Sequence, residues 1–209
     1  MGENIVITIA RQYGSGGKTI GAMLAKELGI NCYSREILKM ASEESGINEG
    51  LFGMSDEKIK KAPWFKILNR PYDGELLTPE DRDFVSDDNL FNYQAKVIRD
   101  LAEKESCVIV GRCADYVLGD YSNVINTFIY AYKDDRLNRI MDIYKLTEKQ
   151  AADKIKKTDR ERKLYYEART GREWGGIESN SMLFNTSLLG IDGVTDALEA
   201  IYRKWESRG

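Results

Sequence analysis

The chain has 209 residues, 42% hydrophobic and 31% charged, a length that suits one domain or two small ones and is ample for a buried core. Its 31 Lys and Arg against 34 Asp and Glu leave a net charge of −3, without the basic signature of a nucleic-acid-binding protein. Histidine is absent, which removes Ser-His and Cys-His nucleophile pairs, His-ligated zinc and His general bases.

Ile5 to Ile9 opens the chain as a short β-branched run, the pattern of a strand buried on both faces. The turn Gly14-Ser15-Gly16-Gly17 follows. Lys18 to Leu28 then carries a helical apolar stripe ended by Gly29. Ile30 to Tyr33 suits a second strand, and Ser34 is placed to cap a helix from Arg35 to about Glu44. Residues 45–88 are broken by glycines and turns, with a short helix expected near Glu57 to Leu68. Asp87 or Asp88 opens a long helix to about Lys104. Cys107 to Val110 and Val124 to Ala131 read as buried strands, the first running into Gly111-Arg112. Helices are expected from Asp134 to about Tyr144, and from the capping box Thr147-Glu148-Lys149-Gln150 to about Arg169. Met182 to Asn185 closes as a strand and Gly193 to Trp205 as a helix. Strands alternating with helices predict an α/β fold, a parallel sheet covered on both faces.

No apolar run reaches the roughly 18 residues of a membrane span. Met1 to Asn4 lacks the basic and long apolar regions of a secretory signal. Cys32, Cys107 and Cys113 have no C-x-x-C spacing and read as reduced thiols, so a cytoplasmic location is expected. Charge is uneven: residues 133–172 hold 13 Lys and Arg against 8 Asp and Glu. One basic helical stretch on an acidic body suits a local anionic ligand.

Gln12 to Thr19 nearly matches the phosphate-loop pattern G-x-x-x-x-G-K-[ST], with Gln12 at the first glycine. Gly14, Gly16 and Gly17 free the backbone to close around phosphate oxygens, Ser15 sits among them, and the helix N-terminus adds partial positive charge. Lys18 is placed for the outer phosphates and the Thr19 hydroxyl for Mg²⁺. These six residues are the expected ATP site. Phosphoryl transfer also suits a chain without histidine, because it runs on positioning and positive charge.

The segment Ile7 to Lys18 resembles the opening of the cytidylate kinase-like family. Tyr33 to Leu38, Val108 to Arg112, Lys157 to Arg162 with Tyr165-Tyr166 and Thr170-Gly171, and Phe184 to Ser187 are similar to further family segments. The resemblance implies a P-loop NTPase-type fold in one domain over 1–209, with a substrate-binding insertion at about 45–88 and a helical lid with an arginine helix at about 143–170. It implies transfer of the ATP γ-phosphoryl, with Mg²⁺, to a nucleoside monophosphate, nominally CMP or dCMP. Ser34, Arg35, Arg112 and Asp159 would then bind substrate, and Arg160 and Arg162 would join Lys18 in catalysis. The family's cytidylate kinases carry Asp where Val110 and Cys113 stand; Asp115 lies nearby.

Each of these side chains has a plainer alternative. Ser34 serves as a helix cap, Arg112 as a strand-end surface residue, Arg160 and Arg162 as a solvated helix face, and Tyr165, Tyr166 and Trp174 as packing. Three functions therefore stay open: a nucleoside monophosphate kinase, a kinase for another small acceptor, and a nucleotide-binding regulatory module with little turnover.

Overall fold

The computed structural model describes residues 4–54 and 75–207. Five parallel strands form one sheet: β1 (Val6–Arg11), β2 (Asn31–Tyr33), β3 (Cys107–Val110), β4 (Val124–Tyr130) and β5 (Met182–Asn185), in the order β2-β3-β1-β4-β5. The central β1 pairs Ile9 with Val110 of β3 on one side and Arg11 with Ile129 of β4 on the other. The strand order reverses at β1, so the crevice between β1 and β3 opens at their carboxyl ends, where open α/β sheets place ligands.

The pleat divides the core in two. Cys107 and Ile109 of β3 face one side, with helices α2 (Glu36–Ser45) and α3 (Asp87–Lys104). Val108 and Val110 face the other, with Ile7 and Ile9 of β1, against α1 (Gly17–Leu28) and α7 (Thr186–Glu206). Alternate residues of a strand point to opposite faces, so continuously apolar strands serve two helical layers at once. The other helices expected within the described residues appear as well, among them α5 (Lys133–Tyr144) and α6 (Glu148–Thr170). The Thr147 capping box forms, its hydroxyl accepting from the Gln150 N–H. A four-residue helix, α4 (Ala114–Val117), was not anticipated.

Three boundaries depart from expectation. Arg35, not Ser34, is the N-cap of α2, without a side-chain cap bond, and the Glu36 carboxylate reaches back to accept from the Ser34 N–H at 2.8 Å. The last helix begins at Thr186 rather than Gly193, since the Asn185 side chain caps a preceding turn. Gly190, at φ 73°, then breaks the helix and restarts it. The helix expected near 57–68 lies outside the described residues, as does much of the expected insertion.

The start of α7 anchors the phosphate loop. The buried Thr186 hydroxyl donates to the Ser15 carbonyl at 2.9 Å, with the Tyr130 carbonyl at 3.4 Å. Thr186→Val keeps the volume and removes the donor. It should lower unfolding free energy by about 1–2 kcal/mol in urea titration; an unchanged midpoint would show that this link is not holding the loop.

Candidate active site

The phosphate loop starts where β1 ends. The Gln12 N–H donates to the Ile129 carbonyl at 3.0 Å, and its side-chain Oε1 accepts from the Ala131 N–H at 3.3 Å. Gln12 therefore stitches the loop to the end of β4, a tie that a glycine could not make. Ser15 is fully buried, its hydroxyl donating to the Gln12 carbonyl at 2.9 Å. Gly16, at φ 87°, turns the chain into α1, and a Cβ there would fall 2.9 Å from Ile191. Lys18 and Thr19 are exposed in the first turn of α1.

Two helices grip the loop from outside the sheet. Arg136 of α5 donates to the Tyr13 carbonyl and to Asp159, and Arg139 donates to the Gly14 carbonyl. Asp159 of α6 accepts the Tyr13 N–H at 2.6 Å. One α6 carboxylate thus joins loop, α5 and α6.

A cleft of about 550 Å³ opens beside the loop at the carboxyl ends of β1 and β3. Arg11, Lys18, Arg35, Arg112 and Arg162 line it with Ser34, and Tyr165, Tyr166 and Trp174 form an aromatic side. Gly111, Arg112 and Cys113 all take positive φ, at 83°, 63° and 53°. Left-handed backbone at the two non-glycine residues costs of order 1–3 kcal/mol each, strain that the surrounding structure must hold. It turns the chain sharply from β3 into the cleft. Arg162 donates from Nη1 to the Arg11 carbonyl at 3.0 Å and lies over the Tyr13 ring. Burial pushes the Arg162 guanidinium down from its ordinary pKa. Arg11 is lowered too, first by burial and then by Arg162 and Arg112.

The loop residues Gly14, Ser15, Gly16, Gly17, Lys18 and Thr19 thus form the strand-to-helix junction, and Lys18, Ser34, Arg35, Arg112 and Arg162 meet in one cleft. Asp159 is instead engaged on the outer side of the loop. Arg160 is exposed and does not line the cleft. Residues two apart on a helix do not face the same way, so the cleft receives Arg162 and not its neighbour. Sequence reading gave no role to Arg11, Arg136 or Arg139. A charged residue ending an otherwise apolar buried strand was the available signal for Arg11. The i, i+3 spacing was the signal for the α5 pair.

Among the described residues, no group of three or more Cys, Asp or Glu is gathered to hold a metal. The Thr19 hydroxyl is a hard oxygen donor at the open start of α1. That suits Mg²⁺, which keeps several waters and is commonly held jointly by protein and substrate phosphates.

Asp115 lines the cleft floor, buried, and accepts the Tyr166 hydroxyl at 2.6 Å. Burial raises its carboxyl pKa, while the Tyr166 bond opposes the rise. A carboxyl whose pKa is higher folded than unfolded loses stability as pH climbs from the unfolded toward the folded value. Tyr166→Phe removes the opposing bond. Its destabilisation should reach about 1–3 kcal/mol at pH 7 and shrink toward about pH 3, below the ordinary aspartate value of 3.8, where the carboxyl is largely protonated in both states. A destabilisation equal at both pH values in denaturant titrations would refute this.

A model of the cytidylate kinase-like family matches residues 6–188. A search of curated proteins finds no match. Among solved structures, an uncharacterized protein from Eubacterium ventriosum is 29% identical with a TM-score of 0.67, covering 93% of this chain and 96% of its own. Shikimate kinase from Bacteroides thetaiotaomicron is 12% identical with a TM-score of 0.53, covering 95% and 98%; that likeness concerns the fold. No helix among the described residues is long and apolar enough to cross a membrane. With its parallel sheet, its strand–loop–helix junction at Lys18 and a family match over most of its length, the chain has a P-loop kinase fold and belongs to the cytidylate kinase-like family.

Proposed function

We propose that this cleft transfers the γ-phosphoryl group of ATP to the phosphate of a nucleoside monophosphate, nominally CMP or dCMP. The observation that carries the reading is that Lys18 of the phosphate loop and Arg112 and Arg162, from two other elements, line a single cleft.

The loop amides and Lys18 hold the donor phosphates, and Thr19 would hold the Mg²⁺ that accompanies ATP and neutralises phosphate charge. Arg35 and Arg112 present guanidinium forks to the acceptor phosphate. An acceptor phosphate oxygen forms a bond to the γ-phosphorus as the bond to the β,γ-bridging oxygen breaks, and ADP carries that electron pair away. A phosphate dianion is already a deprotonated nucleophile, so the reaction needs no general base, in keeping with a chain without histidine. Arg162 meets the charge spreading over the transferred group. The α5–α6 unit acts as the lid, exchanging its polar grip on the loop for phosphate contacts and excluding water.

Asp115 favours a second acceptor class. The acidic position expected at the end of β3 is Val110, and the cleft's buried carboxylate, Asp115, is held by Tyr166. A small phosphorylated acceptor other than CMP fits that arrangement. Incubation with ATP and Mg²⁺ over a panel of phosphorylated acceptors, with products separated by ion exchange, tests both. Formation of CDP or dCDP supports the first, and another diphosphorylated product the second. ATP binding without transfer to any acceptor would contradict both and favour a regulatory module. Lys18→Ala should abolish transfer. Arg162→Ala should lower turnover by at least about 10²-fold, and Arg160→Ala by much less; equal losses would remove the special place of Arg162.

A further inference from the structure

Arg11 has a setting that the kinase reading above does not account for. Its side chain spans the seam of the site. At one end, a Cβ built on Gly17 of the phosphate loop would fall 2.7 Å from Arg11 Cβ. At the other, the guanidinium lies so close over Gly111, at the end of β3, that a Cβ there would collide with Nη1. The side chain therefore stretches from the donor loop to the strand end that carries Arg112. Its Nε is buried without a hydrogen-bond partner, and no carboxylate pairs with it among the described residues. The charged groups acting on it are Arg162 and Arg112, both of like sign. The cleft's buried carboxylate, Asp115, is engaged by Tyr166.

Arg11 as a whole is half-buried and opens on the cleft, but its Nε is shut away from water; a charge held partly out of water without a partner is costly, and an apolar residue of similar volume is often tolerated there. A guanidinium kept in this setting is placed to gain its partner from a ligand in the cleft. The space it faces takes an anion, and its planar fork matches phosphoryl oxygens. We propose that Arg11 is a substrate-contacting residue whose guanidinium takes a phosphoryl group, that of a phosphomonoester acceptor, at the seam between the phosphate loop and the end of β3. The acceptor assignment rests on the kinase reading; the anion site itself does not.

The test separates the two. Lys18→Ala weakens the loop's own hold on phosphate, so calorimetric titration of inorganic phosphate into that variant reports the second site. Phosphate should still bind to Lys18→Ala. Adding Arg11→Met should weaken it about tenfold or more, and Arg11→Lys, which keeps the charge but not the fork, should fall between. In phosphate-free buffer, Arg11→Met alone should melt no lower than the natural chain, because the stem is kept and an unpaired buried charge is lost. CMP should bind more tightly than inorganic phosphate. Absence of phosphate binding in Lys18→Ala, an affinity within threefold after Arg11→Met, or a lower melting temperature in phosphate-free buffer would each overturn the assignment of Arg11. Phosphate binding more tightly than CMP would overturn the acceptor. Because binding needs no turnover, a failure of the kinase reading leaves the Arg11 result standing.

Discussion

Like charges gathered at the carboxyl ends of β1 and β3 are the constraint around which the rest of the molecule is arranged. Parallel pairing sets Ile9 beside Val110. Two residues further on, Arg11 and Arg112 therefore leave the sheet as neighbours, and α6 adds Arg162 through its bond to the Arg11 carbonyl. Arg162 and Arg112 both act on Arg11 with like charge, a repulsion that the two-sided apolar sheet holds in place, and the sharp turn at Gly111 to Cys113 carries the chain from β3 into the cleft.

The α5–α6 unit is attached differently from the rest. The sheet is clamped by two extensive apolar clusters, whereas Ile140, Ala151 and Ile155 are the buried members of the cluster beneath α5 and α6. Much of their hold on the phosphate loop is polar: Asp159 on the Tyr13 N–H, Arg136 on the Tyr13 carbonyl, Arg139 on the Gly14 carbonyl. In the proposed closure the Arg136 and Arg139 contacts would exchange for ligand phosphates at small net cost, because one charge-assisted bond replaces another. Regions with little buried apolar surface are also those that open most readily. The basic excess of residues 133–172 thus has two uses, holding the loop from outside and supplying Arg162 within.

Much of this was legible in the sequence, for identifiable reasons. Ile5 to Ile9 and Cys107 to Val110 are apolar without alternation because both faces are covered, and that reads as a buried parallel strand. The Thr147 capping box and the glycines around Ser15 are local chemistry, complete within a few residues. What could not be read depends on contacts distant along the chain. Gln12 looks like a defect in the phosphate-loop pattern until its side chain is seen accepting from Ala131. Arg160 and Arg162 are equivalent in composition and are told apart by the orientation of α6 against β1. Asp159 sits in the same run of charges, yet its partner is Tyr13. Ser34 had the right residue type for a cap, but α2 starts one residue later, with Arg35 at its cap, and the contact that forms is the Glu36 carboxylate accepting from the Ser34 N–H.

If donor and acceptor phosphates meet between Lys18, Arg11 and Arg162, one molecule carrying both should engage all three at once. Calorimetry with an adenosine and a cytidine joined through five phosphates tests this most directly, set beside a non-hydrolysable ATP analogue. Both halves filling the cleft would convert the second binding event into an intramolecular one, raising affinity by about 10²-fold or more over the ATP analogue. An affinity no greater than that of the ATP analogue would contradict a shared cleft for the two substrates.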